Sequence, residues 1–197
     1  MMWWLWIALA WSTEVPELYQ RSYEQEAAGA VSSALDALEQ MPASERSAYT
    51  WQLRQGWLLY LDGRYDRALE AYDRAIAAEP AAVEPKLGKL LPLLALRRWV
   101  DAEKLGQQVL KADPRSYLGR SRTAWALYSL GRYAEAEALY RALVADYPSD
   151  VEMRSGLGWA LLSQGKGAKA AALFEAVLRV APRHQMAGMG LEQARQN

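Results

Sequence analysis

A repeat of 34 residues most constrains what this chain can fold into. Prolines and alanines both recur at this interval (Pro80, Pro114, Pro148 and Pro182; Ala68, Ala102, Ala136 and Ala170). The segment 49–82 contains two stretches with apolar residues at helical spacing, and the turn Asp62-Gly63 separates them. A fixed period of this length, with two helices in each unit, is typical of solenoids in which each repeat packs on its neighbours. The sequence therefore predicts an all-α helix-turn-helix solenoid.

The predicted solenoid occupies residues 13–197 and contains four units, at 49–82, 83–116, 117–150 and 151–184. A degenerate helical pair at 14–48 and a last helix at 185–197 are predicted to cap the ends, because terminal repeats have only one neighbour. In the degenerate pair we expect a first helix from Glu14 to about Ala27, with Pro16 in its first turn. The second helix is expected from Ala30 to Gln40.

Within each unit, the periodic alanine of the second helix is followed four residues later by a residue on the same face. These residues are Tyr72, Gly106, Tyr140 and Phe174. Gly63, Gly131 and Gly165 stand where the turn between the helices requires a positive φ. The unit 83–116 departs from this pattern. It has Arg97 at the turn and Pro92 inside its first helix, where we expect a kink.

Residues 1–12 are predicted to be an export signal or an apolar N-terminal segment. The run MMWWLWIALAW is apolar throughout, and Ala8-Leu9-Ala10 has the small-x-small pattern of a cleavage site. At about 1.5 Å per residue a helix of this length would cover about half of a ~30 Å hydrocarbon core, so no transmembrane span is predicted. No Lys or Arg precedes the run, which leaves packing on the solenoid as the alternative. We expect an exported, periplasmic protein, with a cytoplasmic location as the other reading and association with the cell envelope left open.

The composition excludes several classes of site. The chain has no cysteine, which removes disulfides, thiolate catalysis and cysteine metal sites. Its 23 Lys and Arg balance 23 Asp and Glu, so no overall basic field indicates nucleic acid. The balance hides a gradient: residues 1–48 carry a net charge of −5, and the units 83–116 and 151–184 each carry +3. The gradient could orient an acidic partner, although an uneven solvated surface explains it equally well.

The repeat pattern resembles the tetratricopeptide repeat family. The small residue of the family's first helix is matched by Gly56, Ala124 and Gly158, and that of the second by the four periodic alanines. The turn glycines, the second-helix aromatics and the terminal prolines match as well, closely over 49–184 and loosely over 14–48. The resemblance, here to an exported bacterial member, implies a right-handed solenoid whose first helices line a concave groove that binds a partner protein.

By this resemblance, the ninth position of each unit points into the groove. The residues there are Trp57, Leu91, Trp125 and Trp159. Tyr60 and Tyr128 lie three residues further along the same helices, and Arg54 and Arg122 precede the tryptophans by three. Trp, Tyr and Arg carry much of the binding energy at protein interfaces, and Arg can pair with a carboxylate. These eight residues are the predicted partner-binding groove. The alternative is that the tryptophans pack between neighbouring helices.

The sequence favours a non-catalytic scaffold or adapter that binds a protein or peptide of unknown identity. His184 is the only histidine and has no spaced partner for a metal pair or a triad, so it is interpreted as a surface or capping residue. No cofactor, metal site or catalytic residue is predicted. The family's clamp for acidic chaperone tails needs Lys and Asn where Leu53 and Trp57 stand. A carbohydrate-binding or polysaccharide-export module, with indoles stacked on sugars, is the alternative function. The oligomeric state cannot be derived from the sequence.

Overall fold

The computed structural model describes the backbone of residues 3–196 and the side chains of residues 14–196. Over this range the chain forms eleven α-helices, one short 3-10 turn at Glu45–Ser47, and no strand. The helices are α1 (Trp3–Ala27), α2 (Val31–Glu39), α3 (Tyr49–Leu61), α4 (Tyr65–Ala78), α5 (Glu84–Ala95), α6 (Trp99–Ala112), α7 (Tyr117–Ser129), α8 (Tyr133–Asp146), α9 (Val151–Leu162), α10 (Gly167–Val180) and α11 (Gln185–Gln196). The predicted all-α class is confirmed.

The chain divides into two compact units, residues 1–96 and 97–197. In the first unit α3 packs against α4 and against α5, which is the first helix of the next repeat. In the second unit α7 packs against α8 and α9, and α9 packs against α10 and α11. First helices of successive repeats therefore lie beside one another within each unit, so side chains at equivalent positions can form a common surface.

The N-terminal helix differs from the expectation. The sequence predicts a start at Glu14 with Pro16 in the first turn, but α1 begins at Trp3 and Pro16 lies inside it. The reason is that no helix-breaking residue separates the apolar run from residue 14, and Pro16 removes only one backbone hydrogen bond. The side chains of the predicted export segment, residues 1–12, lie outside the described residues. Among the helices that the structure describes, none combines the length and the hydropathy that crossing a bilayer would require.

The turns between the paired helices have the backbone geometry that the glycines predicted. Gly63 and Gly131 have φ of 76° and Gly165 has φ of 74°. Arg97 occupies the same place in its repeat and has φ of 55°, although its side chain disfavours this left-handed conformation. The turn geometry is therefore kept where the glycine is not. In the same repeat, α5 runs through Pro92 to Ala95; the expected kink there stays a prediction.

The core is built from rings of the second helices seated on glycines of the first helices. Tyr72 and Phe174 are fully buried. A Cβ atom added to Gly88 would lie 2.4 Å from the Tyr72 ring, and one added to Gly190 would lie 2.4 Å from the Phe174 ring. Tyr140 packs in the same way on Gly156. The absence of a Cβ on one first helix therefore makes the room for a ring from the preceding second helix.

In the repeat that lacks this ring, a different residue fills the space. Gly106 replaces the aromatic residue, and a Cβ there would lie 2.1 Å from Thr123 Oγ1. Thr123 is itself fully buried and donates from its hydroxyl to the Gly119 carbonyl at 2.7 Å. The exchange keeps the interface between α6 and α7 filled.

Candidate binding pockets on the first helices

The eight predicted groove residues all lie on first helices, but the structure divides them between the two units. Four of them line one pocket in the second unit: Arg122, Trp125, Tyr128 and Trp159. Arg54 and Trp57 line a separate pocket in the first unit. Tyr60 lies between Trp57 and Tyr65, with ring centroids 5.8 Å from each. Leu91 is half-buried on α5 and lines neither pocket.

The pocket in the second unit, called the aromatic pocket below, has a volume of about 540 Å³. Three first helices, α7, α9 and α11, supply most of its lining, and α8 adds one tyrosine. Trp125 is 50% exposed and Met186 is likewise 50% exposed, so both present apolar surface to solvent. The pocket is lined by Ser121, Arg122, Trp125, Tyr128, Tyr140, Glu152, Met153, Ser155, Gly156, Trp159 and Met186. A cavity of this size and lining accommodates large apolar side chains of a ligand.

Two walls of the aromatic pocket are fixed by contacts within the second unit. The Trp159 indole donates to the carbonyl oxygen of Met186 at 3.2 Å, which joins α9 to the first turn of α11. The Trp159 ring also meets Phe174 edge-on, with centroids 5.6 Å apart. Tyr128 Oη lies 3.2 Å from Ser163 Oγ. Trp159 thus both packs and lines the pocket, whereas Trp125 has half of its surface in water.

The floor of the aromatic pocket carries a polar group that sequence reasoning missed. Ser155 is 3% exposed, and its hydroxyl has no hydrogen-bond partner in the protein. A buried hydroxyl without a partner costs free energy, so such a group at a pocket floor is available to a ligand. Nothing in the sequence distinguishes this serine from an ordinary small residue of a first helix.

His184 lies beside the pocket and has a structural role. Its Nδ1 atom accepts the backbone N–H of Ala187 at 3.1 Å, which caps the start of α11. Its Nε2 atom lies 3.2 Å from Oε1 of Glu152 on the pocket rim. The interpretation of His184 as a capping residue is confirmed. Among the residues that the structure describes, no group of His, Cys, Asp and Glu is arranged to hold a metal ion.

In the first unit, α1 supplies partners to the corresponding arginine and tryptophan. Arg54 is 6% exposed and donates from Nη1 to Oε2 of Glu26 at 2.7 Å and from Nε to Ser22 at 3.0 Å. Its guanidinium lies 3.5 Å from the centroid of the Tyr23 ring. The Trp57 indole donates to the other oxygen of Glu26 at 2.6 Å. The pocket that remains, about 410 Å³, is lined by these residues together with Thr50 and Leu53.

The two pockets belong to matching segments 68 residues, or two repeats, apart. Arg54, Trp57 and Tyr60 correspond to Arg122, Trp125 and Tyr128. The ring pair Tyr60–Tyr65 corresponds to Tyr128–Tyr133, whose centroids are 5.3 Å apart. The first residues of the segments also match, since Tyr49 donates to Glu84 at 2.8 Å and Tyr117 donates to Asp150 at 2.6 Å. The chain therefore carries one arginine–tryptophan–tyrosine surface twice.

The two units differ in charge. Residues 1–96 contain 8 Lys and Arg against 13 Asp and Glu, a net charge of −5. Residues 97–197 contain 15 against 10, a net charge of +5. The aromatic pocket therefore belongs to the positive unit.

Comparison with known proteins supports the architecture. A profile of the tetratricopeptide repeat matches residues 19–83, 53–117, 86–151 and 121–184. A comparison with curated protein sequences gives no match.

Solved structures with the same fold include a fragment of MamA, from residue 41 to its end, of Desulfovibrio magneticus RS-1. It is 17% identical with a TM-score of 0.80, over 88% of this chain and 98% of that one. MamA of strain AMB-1 is 22% identical with a TM-score of 0.70, over 84% and 98%. TTC0263, a thermophilic protein of this repeat class from Thermus thermophilus, is 19% identical with a TM-score of 0.68, over 92% and 99%. At these identities the likeness establishes the fold, and the profile matches cover most of the sequence. The chain belongs to the tetratricopeptide repeat family.

Proposed function

We propose that this protein is a non-catalytic scaffold that binds a segment of a partner protein in the aromatic pocket. Proteins of this family act as protein-interaction scaffolds. The observation that supports this pocket in particular is the half-exposed ring of Trp125 above a 540 Å³ cavity. Large apolar side chains are seldom left in water at a concave surface unless a ligand covers them.

The energetics support a moderate affinity. At about 25 cal/mol per Å², covering ~100 Å² of the Trp125 ring would contribute about 2.5 kcal/mol. Met153 and Met186 add apolar surface that adapts to different side chains because methionine is unbranched and flexible. The cost of ordering a bound peptide offsets part of this gain. Such a balance favours a reversible complex, which suits an adapter.

The proposal predicts crosslinks at position 125. A photo-reactive phenylalanine analogue would replace Trp125 in one variant and Arg179, an exposed residue of α10, in the control. After irradiation in the native cell, we expect a specific crosslinked protein from position 125 only. The same protein recovered equally from both positions, or from neither, would contradict the proposal.

The carbohydrate alternative is tested on purified protein. Stacking of a sugar on Trp125 would change tryptophan fluorescence when oligosaccharides are added at millimolar concentration, and the Trp125→Ala variant would lose that change. We expect no response in either protein. A response that depends on Trp125, without a protein crosslink, would favour the carbohydrate function.

The scaffold is proposed to act after export, on the basis of the apolar run and the Ala8-Leu9-Ala10 pattern. Cell fractionation of a C-terminally tagged chain should place it in the periplasm or the envelope. Mass spectrometry of the N-terminus would reveal cleavage after Ala10. Recovery of the intact chain only from the cytoplasm would mean that residues 1–12 are not an export signal.

A further inference from the structure

The first unit contains a complete example of what the arginine–tryptophan pair binds. Both oxygens of the Glu26 carboxylate are engaged, one by the Arg54 guanidinium at 2.7 Å and the other by the Trp57 indole at 2.6 Å. Hydrogen bonds from a guanidinium to a carboxylate are short and strong, and here the arginine is buried. The two donors lie three residues apart on α3, which puts them on one face of the helix.

The second unit repeats the donors without repeating these partners. Arg122 and Trp125 have the same spacing on α7. The residues 68 positions after Ser22, Tyr23 and Glu26 are Leu90, Leu91 and Leu94. Leucine side chains contain no hydrogen-bond acceptor, so the sequence replaces the carboxylate, the hydroxyl and the phenol by hydrocarbon.

We propose that the aromatic pocket recognises an aspartate or glutamate side chain of the partner, flanked by a bulky apolar residue. This deepens the proposed function and rests on it. The carboxylate would bond to Arg122 and to the Trp125 indole as Glu26 does to Arg54 and Trp57, and the apolar neighbour would cover Trp125, Met153 and Met186. An arginine has five N–H donors, so two of them suffice for this contact whatever else Arg122 bonds to.

Two independent observations support an acidic partner. The net charge of +5 on residues 97–197 attracts acidic segments, and such steering raises association rates. The Ser155 hydroxyl, buried and without a protein partner, can donate to an oxygen of the ligand at the pocket floor. Glu152 is the acidic residue of the pocket lining, and His184 Nε2 lies 3.2 Å from its carboxylate.

Selection from a random library of displayed 12-residue peptides tests this inference on the full chain. The peptides would be displayed without a free C-terminus and resynthesised as amides, so that only side chains supply carboxylates. We expect the selected sequences to be enriched in Asp or Glu next to Leu, Ile, Phe, Met or Trp. A peptide whose acid is replaced by its amide should bind about 10- to 100-fold more weakly, since a charged hydrogen bond contributes that much.

Three variants locate the contact. Arg122→Gln removes the charge, and Trp125→Phe removes the indole N–H while keeping an aromatic ring; both should weaken the acidic peptides about tenfold or more. Arg115→Gln, whose side chain is 85% exposed, removes the same charge elsewhere in the unit and should leave the affinity within about twofold. Circular dichroism would verify that each variant is folded.

The outcomes separate the inference from the proposed function. Peptides that are selected at the aromatic pocket but contain no acid, or that bind Arg122→Gln and the wild type equally, would overturn the carboxylate site and leave the scaffold function intact. Failure to select any peptide that competes at Trp125 would overturn both. Binding that requires a free C-terminal carboxylate would overturn the side-chain assignment.

Discussion

At the scale of single residues, Arg97 shows how a backbone angle set by the repeat can override the preference of a side chain. Three of the turns use glycine at φ of 74–76°, whereas Arg97 has φ of 55°. A residue with a Cβ costs about 1 kcal/mol or more in this conformation. We expect Arg97→Gly to raise the free energy of unfolding by about 1 kcal/mol, measured by urea denaturation. Arg97→Ala is the control and should give no such gain, because alanine keeps the Cβ; an equal gain from both variants would show that the arginine side chain, not φ, is unfavourable.

Two glycines of α11 give a matched test of ring packing. A Cβ at Gly190 would lie 2.4 Å from the buried Phe174 ring, while nothing lies within 4 Å of a Cβ at Gly188. Gly190→Ala should destabilise the fold by about 1–3 kcal/mol through overpacking. Gly188→Ala should stabilise it by about 0.5–1 kcal/mol, since alanine favours the helix. Denaturation midpoints would measure both changes, and a stabilising Gly190→Ala would mean that Phe174 moves freely.

The polar contacts of the site could not have been derived at this scale from the sequence alone. The spacing of Arg54 and Trp57 correctly put them on one helical face. Their partner Glu26 stands 28 and 31 positions earlier, in a segment interpreted only as a cap. Ser155 is buried because of how α7, α9 and α11 meet, which no local pattern encodes. Sequence periodicity predicts which face a side chain occupies, but not which polar group it meets there.

At the scale of helices, tyrosine–carboxylate bonds join successive first helices. Tyr117, the first residue of α7, donates to Oδ2 of Asp150 at 2.6 Å. Oδ1 of Asp150 accepts the backbone N–H groups of Glu152 and Met153 at 3.0 and 3.1 Å, which caps α9. One carboxylate therefore fixes the start of α9 and ties it to α7. Tyr49 and Glu84 make the equivalent link between α3 and α5.

This link makes stability depend on alkaline pH. Burial, with the nearby Asp150 carboxylate, raises the pKa of Tyr117 to about 12, whereas an unfolded tyrosine has a pKa of about 10. The folded state therefore holds the proton more tightly, so the contribution is complete below pH 10 and is lost as pH rises from 10 to 12. Tyr117→Phe should be about 1 kcal/mol less stable than wild type at pH 8. The difference should shrink toward pH 12 in urea denaturation; a constant difference would mean that the bond does not hold the proton.

The helical elements themselves were largely predictable, and the exceptions have physical causes. The paired helices of residues 49–184 lie where period, turn glycines and prolines placed them, because each repeat obeys the same local rules. The start of α1 was misplaced because Pro16 fits a first turn but is also tolerated inside a long helix. The 68-residue correspondence is visible in the sequence, but its meaning depends on seeing Glu26 between Arg54 and Trp57.

At the scale of the whole molecule, the two units have separate cores. One cluster of buried residues extends from Leu18 to Tyr72 in the first unit, and the other from Ala124 to Ala194 in the second. In repeat proteins, stability is approximately a sum of terms for each repeat and for its contacts with its neighbours. A defect in one core should therefore be felt mainly by the repeats nearest to it.

Amide hydrogen exchange of the Gly190→Ala variant tests this locality. Since Gly190 lies beneath Phe174, overpacking there should lower protection most in α9, α10 and α11. Protection in α3 and α4, which contribute Leu58 and Tyr72 to the first core, should stay within about threefold of the wild-type value. The Gly188→Ala variant serves as the control, because it changes the same helix without touching a ring. An equal loss of protection in α3 and α10 would mean that the chain unfolds as one cooperative body, and that the division into two cores has no energetic counterpart.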